Sequence, residues 1–417
     1  MGLIFSFRRL RQFWRQERRL PSRFANNRFF MSCLYIWLQF RSLLNAILGP
    51  KGIDCVVRLP IAKHRYCTYL LFALQQTYTE ILLVWDPSIH DLQALFSEGR
   101  RIFSMKGVHF MNTRAYLQLR LQSGSYDYVT ASDGAAPHIP ANRIFDIQTN
   151  LSQLPVENSY LFPYGPHPNN FRTRTHVENK GSNFGQREIR IFFSGTIEYS
   201  TQHDHRVMER IYDLPNRRAT IQELKRIYPS AVWIDDAAKR SEFDSGKYAE
   251  QIQLCFATVK GDPRKWLSDL RRADFFLCLP GSHMPMCHNA VEAISMGCIP
   301  ILCYENWFIP NLIPGLQCLS YRNFNDLYTA IDSALLMSPE EIQGLRSNVW
   351  TYYDRYLNCI TAAERVFGRS HTISKMTVYL NQEEGENYVA AKNADSVLYK
   401  GGTLQSLLDG YANHLDA

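Results

Sequence analysis

The 417-residue sequence has no Asp-x-Asp triplet, no Gly-x-Gly-x-x-Gly run and no Gly-x-x-x-x-Gly-Lys-Ser/Thr loop. The first absence argues against the metal-dependent single-lobe transferase fold, where paired carboxylates hold a divalent ion on a diphosphate, so no metal ligands are expected. The other two remove ordinary dinucleotide and NTPase readings. Ten cysteines occur without one Cys-x-x-Cys pair, which excludes a disulfide framework. Cys278, Cys298 and Cys303 fall in apolar runs, where a free thiol behaves as a small hydrophobe, and a reducing compartment fits best. His203 and His205 alternate but have no third ligand nearby. Long apolar runs are also missing. Residues 29–40 fall short of the roughly 20 needed to span a bilayer. Extending the run to Gly49 would put Gln39 and Arg41 near the bilayer centre, so a spanning helix is disfavoured. No small-residue cleavage site follows, which argues against a removed secretory signal.

Positive charge is present, but only at one end. Residues 1–45 hold nine arginines against Glu17, a local balance of +8 out of a total of +7, so the remaining residues sum to −1. The arginines are interleaved with Leu3, Ile4, Phe5, Phe7, Leu10, Phe13, Trp14 and Leu20, a basic amphipathic composition suited to an anionic membrane surface. A solvated basic helix packed on the body is the competing reading. No RNP-like aromatic motif, zinc knuckle or helix-turn-helix pattern accompanies the arginines, so nucleic acid is not an expected partner. The expected location is cytoplasmic and peripherally membrane-associated, with a Golgi membrane the alternative in a eukaryote.

From Gly52 onward, short apolar runs alternate with helical stretches, the pattern of α/β lobes with parallel sheets. Strands are expected at 54–58, 80–85, 126–131 and 143–147, with a helix over 64–76. The Gly- and Pro-containing stretch 163–186 reads as the linker between lobes. A second series follows: strands at 189–193, 231–234, 275–279 and 298–304, helices at 205–212, 263–272 and 289–296. The expected organisation is a basic segment at 1–50, a first Rossmann-like lobe at 51–180, a second lobe at 181–340 and a helical tail at 341–417. In such sheets ligands bind beyond the carboxyl ends of the strands, which points to Gly195 and the loop from Pro280.

The segment Phe276-Leu277-Cys278-Leu279-Pro280-Gly281-Ser282-His283, continuing into Asn289-Ala290-Val291-Glu292-Ala293 and Gly297-Cys298-Ile299-Pro300, places a buried strand before a Pro-Gly turn and a helix. The helix amides and dipole favour an anion such as a diphosphate. Gly281 and Ser282 are candidate ligand contacts; Gly297 and Pro300 read as architectural. This segment resembles the exostosin-like glycosyltransferases, family 47, whose motif runs from a Phe-Cys-Leu-Cys-Pro strand to Glu-Ala and Gly-Cys-Ile-Pro. Leu270-Arg271-Arg272 and the Phe-Phe-Ser-Gly turn ending at Gly195 support the resemblance over about 188–340, and only Asp133-Gly134 supports it in the first lobe.

The resemblance implies a GT-B type α/β fold of two facing Rossmann-like lobes, with 51–180 on the acceptor side and 181–340 binding the nucleotide sugar. It implies inverting, metal-independent transfer of a sugar from a nucleotide diphosphate to a glycan or lipid-linked glycan acceptor, with no cofactor beyond the nucleotide sugar. Glu292 is then the ribose-binding residue. The family carries Ser and Arg where this chain has Cys287 and Asn289, so Arg264, Lys265 or His283 would supply the missing charge. Inversion also needs a base from the opposite lobe; Asp133 and His138 are the candidates, with His167 third. A non-catalytic, partner-binding relative and a sugar-nucleotide epimerase are the alternatives.

Overall fold

The structure, a computed structural model, describes residues 35–36, 38–40, 42, 45, 52–58, 64–86, 105–119, 125–131, 140–148, 159–167, 170, 187–197, 207–248, 252–259, 261–281, 284–308, 310–368 and 374–380. The chain divides into two compact units, Met1–Gln148 with Ala363–Val378, and Thr149–Ala362 with Tyr379–Ala417. An apolar strand of the tail, Lys375–Leu380, joins the sheet of the first unit.

The first unit contains β1 (Cys55–Arg58), α1 (His64–Leu74), β2 (Ile81–Val84), β3 (Val108–Met111), α2 (Thr113–Gln118), β4 (Asp127–Ala131) and β5 (Ile144–Gln148). The strands lie in the order β3-β2-β1-β4-β5, all parallel, with Lys375–Leu380 next to β5. The run Ile-Leu-Leu-Val of β2 is buried throughout, as a parallel strand covered on both faces must be. The order reverses between β1 and β4, so the chain leaves β4 toward 132–139 at a topological switch point.

The tail is held by a buried polar clasp. Arg143 donates to Asp127 (2.6 Å), to the Phe367 carbonyl (2.8 Å) and to the Gly368 carbonyl (2.5 Å), while the Tyr78 hydroxyl donates to Asp127 (2.7 Å). Phe145 and Phe367 meet edge to face at 4.9 Å. Near the N-terminus, helical residues within 35–45 lie against the same unit. Leu38 is fully buried, Gln39 and Ser42 accept from Asn112 (2.8 and 2.9 Å), and Asn45 donates to the Phe110 carbonyl (2.8 Å). Ile36 and Phe40, one helical turn apart, are 56% and 58% exposed. Among the described residues no helix is long and apolar enough to cross a membrane.

The second unit runs through β6 (Ser159–Phe162), β7 (Ile189–Ser194), α3 (Val207–Tyr212), α4 (Arg217–Ile227), β8 (Val232–Ile234), α5 (Ala237–Asp244), β9 (Ile252–Ala257), α6 (Trp266–Arg271), β10 (Ala273–Leu277), α7 (His288–Ser295), β11 (Ile299–Leu302), β12 (Leu319–Ser320), α8 (Phe324–Leu336) and α9 (Pro339–Tyr352). Its sheet has the order β12-β11-β10-β7-β9-β8 and is wholly parallel. The chain passes from β9 over β7 to β10, so the switch point lies between β7 and β10. Asp236 and Asn216 cap α5 and α4, and a Ser338/Glu341 capping box with Pro339 starts α9. Two α/β units with parallel sheets in one chain are the make-up of the expected GT-B type fold.

At the amino-terminal edge of this sheet, Arg346 of α9 donates to Asp274 (2.5 Å), with Arg190 3.5 Å from the same carboxylate. Burial pushes the Asp274 carboxyl up, and the arginines, led by Arg346, pull it back. Gly297, just past α7, has φ +71°, and a Cβ there would stand 2.6 Å from the Trp350 ring. That glycine is architectural, as the sequence suggested.

Candidate active site

The carboxyl ends of β7 and β10 lie side by side, and three neighbouring segments close around them. After β10 the chain passes Leu279-Pro280 and turns at Gly281, whose N–H donates to the Pro285 carbonyl (3.2 Å). A Cβ on Gly281 would sit 2.5 Å from the Met284 carbonyl oxygen, so only glycine lets the loop fold back this tightly. Ser282 and His283 lie outside the described residues.

The loop delivers the chain to α7. Its N-cap, Cys287, has extended backbone and makes no side-chain capping bond; the thiol is buried beside the Leu279 carbonyl (3.8 Å) and the Tyr304 hydroxyl (3.9 Å). Asn289, in the first turn, donates to the Ser194 carbonyl (3.4 Å) and so reaches across to the end of β7. Beside it, Gly195 donates to the Ala257 carbonyl at the end of β9 (3.1 Å). Gly195, Gly281, Cys287 and Asn289 are therefore brought together at the switch point.

The helix expected at 289–296 spans His288–Ser295. Glu292 stands in its second turn and in the interior, with no exposed surface. One carboxylate oxygen accepts from the His167 backbone N–H (2.7 Å) and from Asn170 Nδ2 (2.6 Å), the other from Trp266 Nε1 (2.5 Å). Burial pushes this carboxyl up to about 7, against the downward pull of the Asn170, His167 and Trp266 bonds. A carboxylate offers roughly four acceptor positions, and three are used among the described residues. Trp266 is fixed in turn by edge-to-face packing on Phe276 at 5.8 Å, and the His167 and His288 rings lie 5.0 Å apart.

Of the cations expected to make up for Asn289, Arg264 has an acidic neighbour in the structure. It is exposed and forks onto Asp262, with Nε 2.9 Å and Nη2 2.6 Å from the same Oδ2. A different arginine occupies the strand ends. Arg217, first residue of α4, donates through Nη2 to the Pro280 (2.9 Å) and Leu279 (3.3 Å) carbonyls and through Nη1 to the Thr196 carbonyl (3.2 Å). It thereby bridges the ends of β7 and β10. Sequence reasoning missed it because Arg217-Arg218 reads as a solvated helix face. The available signal was Asn216, an N-cap residue opening the amphipathic run 217–227. Trp266 and Asn170 were missed too, since nothing local links them to Glu292.

Asp133 and His138 lie outside the described residues; what is described is that β4, which precedes them, ends at the switch point of the first sheet. Among the described residues no group of three or more His, Cys, Asp or Glu is placed to hold a metal ion. The second unit's strand edge combines a guanidinium, a helix amino terminus and two glycine turns, a setting in which an anion is the favoured guest.

No family model matches the chain, and no curated protein matches it. Among solved structures it is similar to the N-terminal domain of Candida albicans trehalose-6-phosphate phosphatase, with 9% identity, 78% of this chain and 98% of that one covered, and a TM-score of 0.39. It is similar to Anabaena Alr3699/HepE in complex with UDP-glucose, with 9% identity, coverage of 75% and 98%, and a TM-score of 0.37. It is also similar to the trehalose-6-phosphate synthase OtsA, with 13% identity, coverage of 75% and 98%, and a TM-score of 0.39.

Proposed function

We propose that the chain is a glycosyltransferase that binds a nucleotide-diphosphate sugar at the β7/β10 switch point and passes the sugar to a glycan or lipid-linked glycan acceptor. The observation that carries this reading is the convergence of Gly195, Gly281, Asn289 and Arg217 at the carboxyl ends of two parallel strands, with the buried Glu292 one turn into the adjoining helix. The exostosin-like resemblance gives Glu292 the donor's ribose. By the same resemblance the reaction inverts the anomeric centre without a metal ion or other cofactor. The leaving diphosphate is then met by helix amides and a basic side chain, and Asp133 or His138 takes the acceptor proton.

One observation favours a second reading. The positions where the exostosin-like family carries Ser and Arg hold a buried thiol and a neutral amide, which suits a catalytically impaired, partner-binding relative. Thermal shift against UDP-, GDP-, CMP- and dTDP-linked sugars, followed by sugar release from whichever donor binds, separates the two. Binding with turnover supports the enzyme; binding without turnover supports the impaired relative; no shift with any donor overturns both.

The same proposal places the protein at the cytoplasmic face of an anionic membrane, or on a Golgi membrane in a eukaryote, and leaves nucleic acid out of its partners. The charge of residues 1–45 and the exposed Ile36 and Phe40 support it.

A further inference from the structure

The guanidinium of Arg217 is held in a way that a purely structural arginine does not require. It takes three backbone carbonyls, belonging to Thr196, Leu279 and Pro280, and forms no ion pair among the described residues. By contrast Arg240, Arg264, Arg322 and Arg346 each face a carboxylate. Its Nε, like those of Arg190 and Arg240, is buried with no hydrogen-bond partner among the described residues. A guanidinium offers five donors in a rigid fork, so among the described residues this one keeps both unused donor capacity and an uncompensated charge. It lies where the two central strands of the second sheet end, and a Cβ on Gly195 would already stand 3.4 Å from its Nη1, so a larger residue there would crowd it. The amino terminus of α7 opens onto the same strand ends, and its first-turn side chain, Asn289, adds no charge.

We propose that Arg217 is the residue that receives the diphosphate of the donor, in place of the arginine missing at 289. This rests on the nucleotide-sugar reading above. The fork of Arg217 binds diphosphate oxygens while its carbonyl contacts keep it aligned with the strand ends. A diphosphate supplies the counter-charge that Asp262 supplies to Arg264. Specificity at this contact is for the diphosphate, and base and sugar are read elsewhere.

The test is calorimetry on the full chain with inorganic pyrophosphate, with the diphosphates UDP and GDP, and with the corresponding nucleosides, for wild type, R217K and R217Q. R217Q is expected to weaken pyrophosphate and diphosphate binding by about 10- to 100-fold, the loss of a charge-assisted hydrogen bond, and to leave nucleoside affinity unchanged. R217K, which keeps the charge and loses the fork, should show a smaller loss confined to the same ligands. Circular dichroism reports whether each variant folds; if R217Q does not, R217K decides. Unchanged diphosphate affinity in the folded variants overturns the proposal. So does an equal loss for nucleosides and diphosphates, which is the mark of a structural role. If wild type binds nucleosides but gains nothing from the phosphates, the nucleotide reading stands and the role of Arg217 falls. If it binds none of the probes, both fall.

Discussion

The buried carboxyl of Glu292 makes the stability of the second unit depend on pH in a direction that can be worked out. Its folded value of about 7 lies above the ordinary 4.5, because desolvation outweighs the bonds from Asn170, His167 and Trp266. A group raised on folding contributes fully below its unfolded value, and that contribution is lost as pH climbs through the folded one. At about 1.4 kcal/mol for each unit, ionising Glu292 removes about 3 kcal/mol between pH 4.5 and 7, with no further change above. Glu292→Gln has nearly the same shape and no titrating proton. Its oxygen still accepts from His167 and Asn170, but its amide faces Trp266 Nε1 and leaves that donor unpaired, at about 1–3 kcal/mol independent of pH. Wild type should therefore be the more stable protein at pH 4.5, and the gap should shrink by about 3 kcal/mol by pH 8, where the variant is level or ahead. Urea unfolding of both proteins at pH 4.5, 6, 7 and 8, followed by circular dichroism, measures this difference. A gap that stays constant, or widens toward pH 8, would refute the assignment of a neutral-range carboxyl at this site.

Gly297→Ala must adopt φ +71° and push its methyl into the Trp350 ring, so a loss of about 2–4 kcal/mol in denaturant unfolding is expected. Ile36→Glu with Phe40→Glu should lower sedimentation with anionic vesicles while leaving the melting temperature close to wild type, since both side chains are exposed; unaltered sedimentation would place the membrane contact elsewhere. Removing the true base should lower turnover about 10²–10⁴-fold at unchanged donor affinity, so Asp133→Asn and His138→Gln are assayed separately in the presence of chelator once a donor is known. Full activity in both variants would exclude the loop, and loss of wild-type activity on chelation would exclude a metal-free reaction.

Much of the fold was legible because parallel strands announce themselves. Cys55–Arg58, Ile81–Val84, Ile189–Ser194, Ala273–Leu277 and Ile299–Leu302 are short apolar runs stopped by turn residues, and each stands within two or three residues of where the sequence put it. Ile252–Ala257 escaped notice although it is next to the centre of its sheet, because Gln251 and Gln253 interrupt its apolar run. The helices Arg217–Ile227 and Ala237–Asp244 are strongly polar and resemble surface segments. At the site, the local motif was readable: Gly281, Cys287, Asn289 and Glu292 share one loop and one helix. What lay beyond reach was everything assembled from a distance. Glu292 owes its environment to Asn170, His167 and Trp266, and the cation at the strand ends comes from a different helix. Partnerships of this kind are set by the sheet order, which no local pattern records.

The clasp between Arg143 and the carbonyls of Phe367 and Gly368 has a consequence for how the protein is made. The first unit lacks its last strand and the acceptors for a buried guanidinium until the tail has been translated, about 200 residues after Gln148. At 5–20 residues per second, that interval lasts about 10–40 s. During it, the edge of β5 has no neighbour from Lys375–Leu380, and an unpaired strand edge is a template for association with other chains. Nascent chains stalled in this window should thus be the ones that recruit chaperones. Shortening the polypeptide from its carboxyl end past Ala363 would extend the window indefinitely.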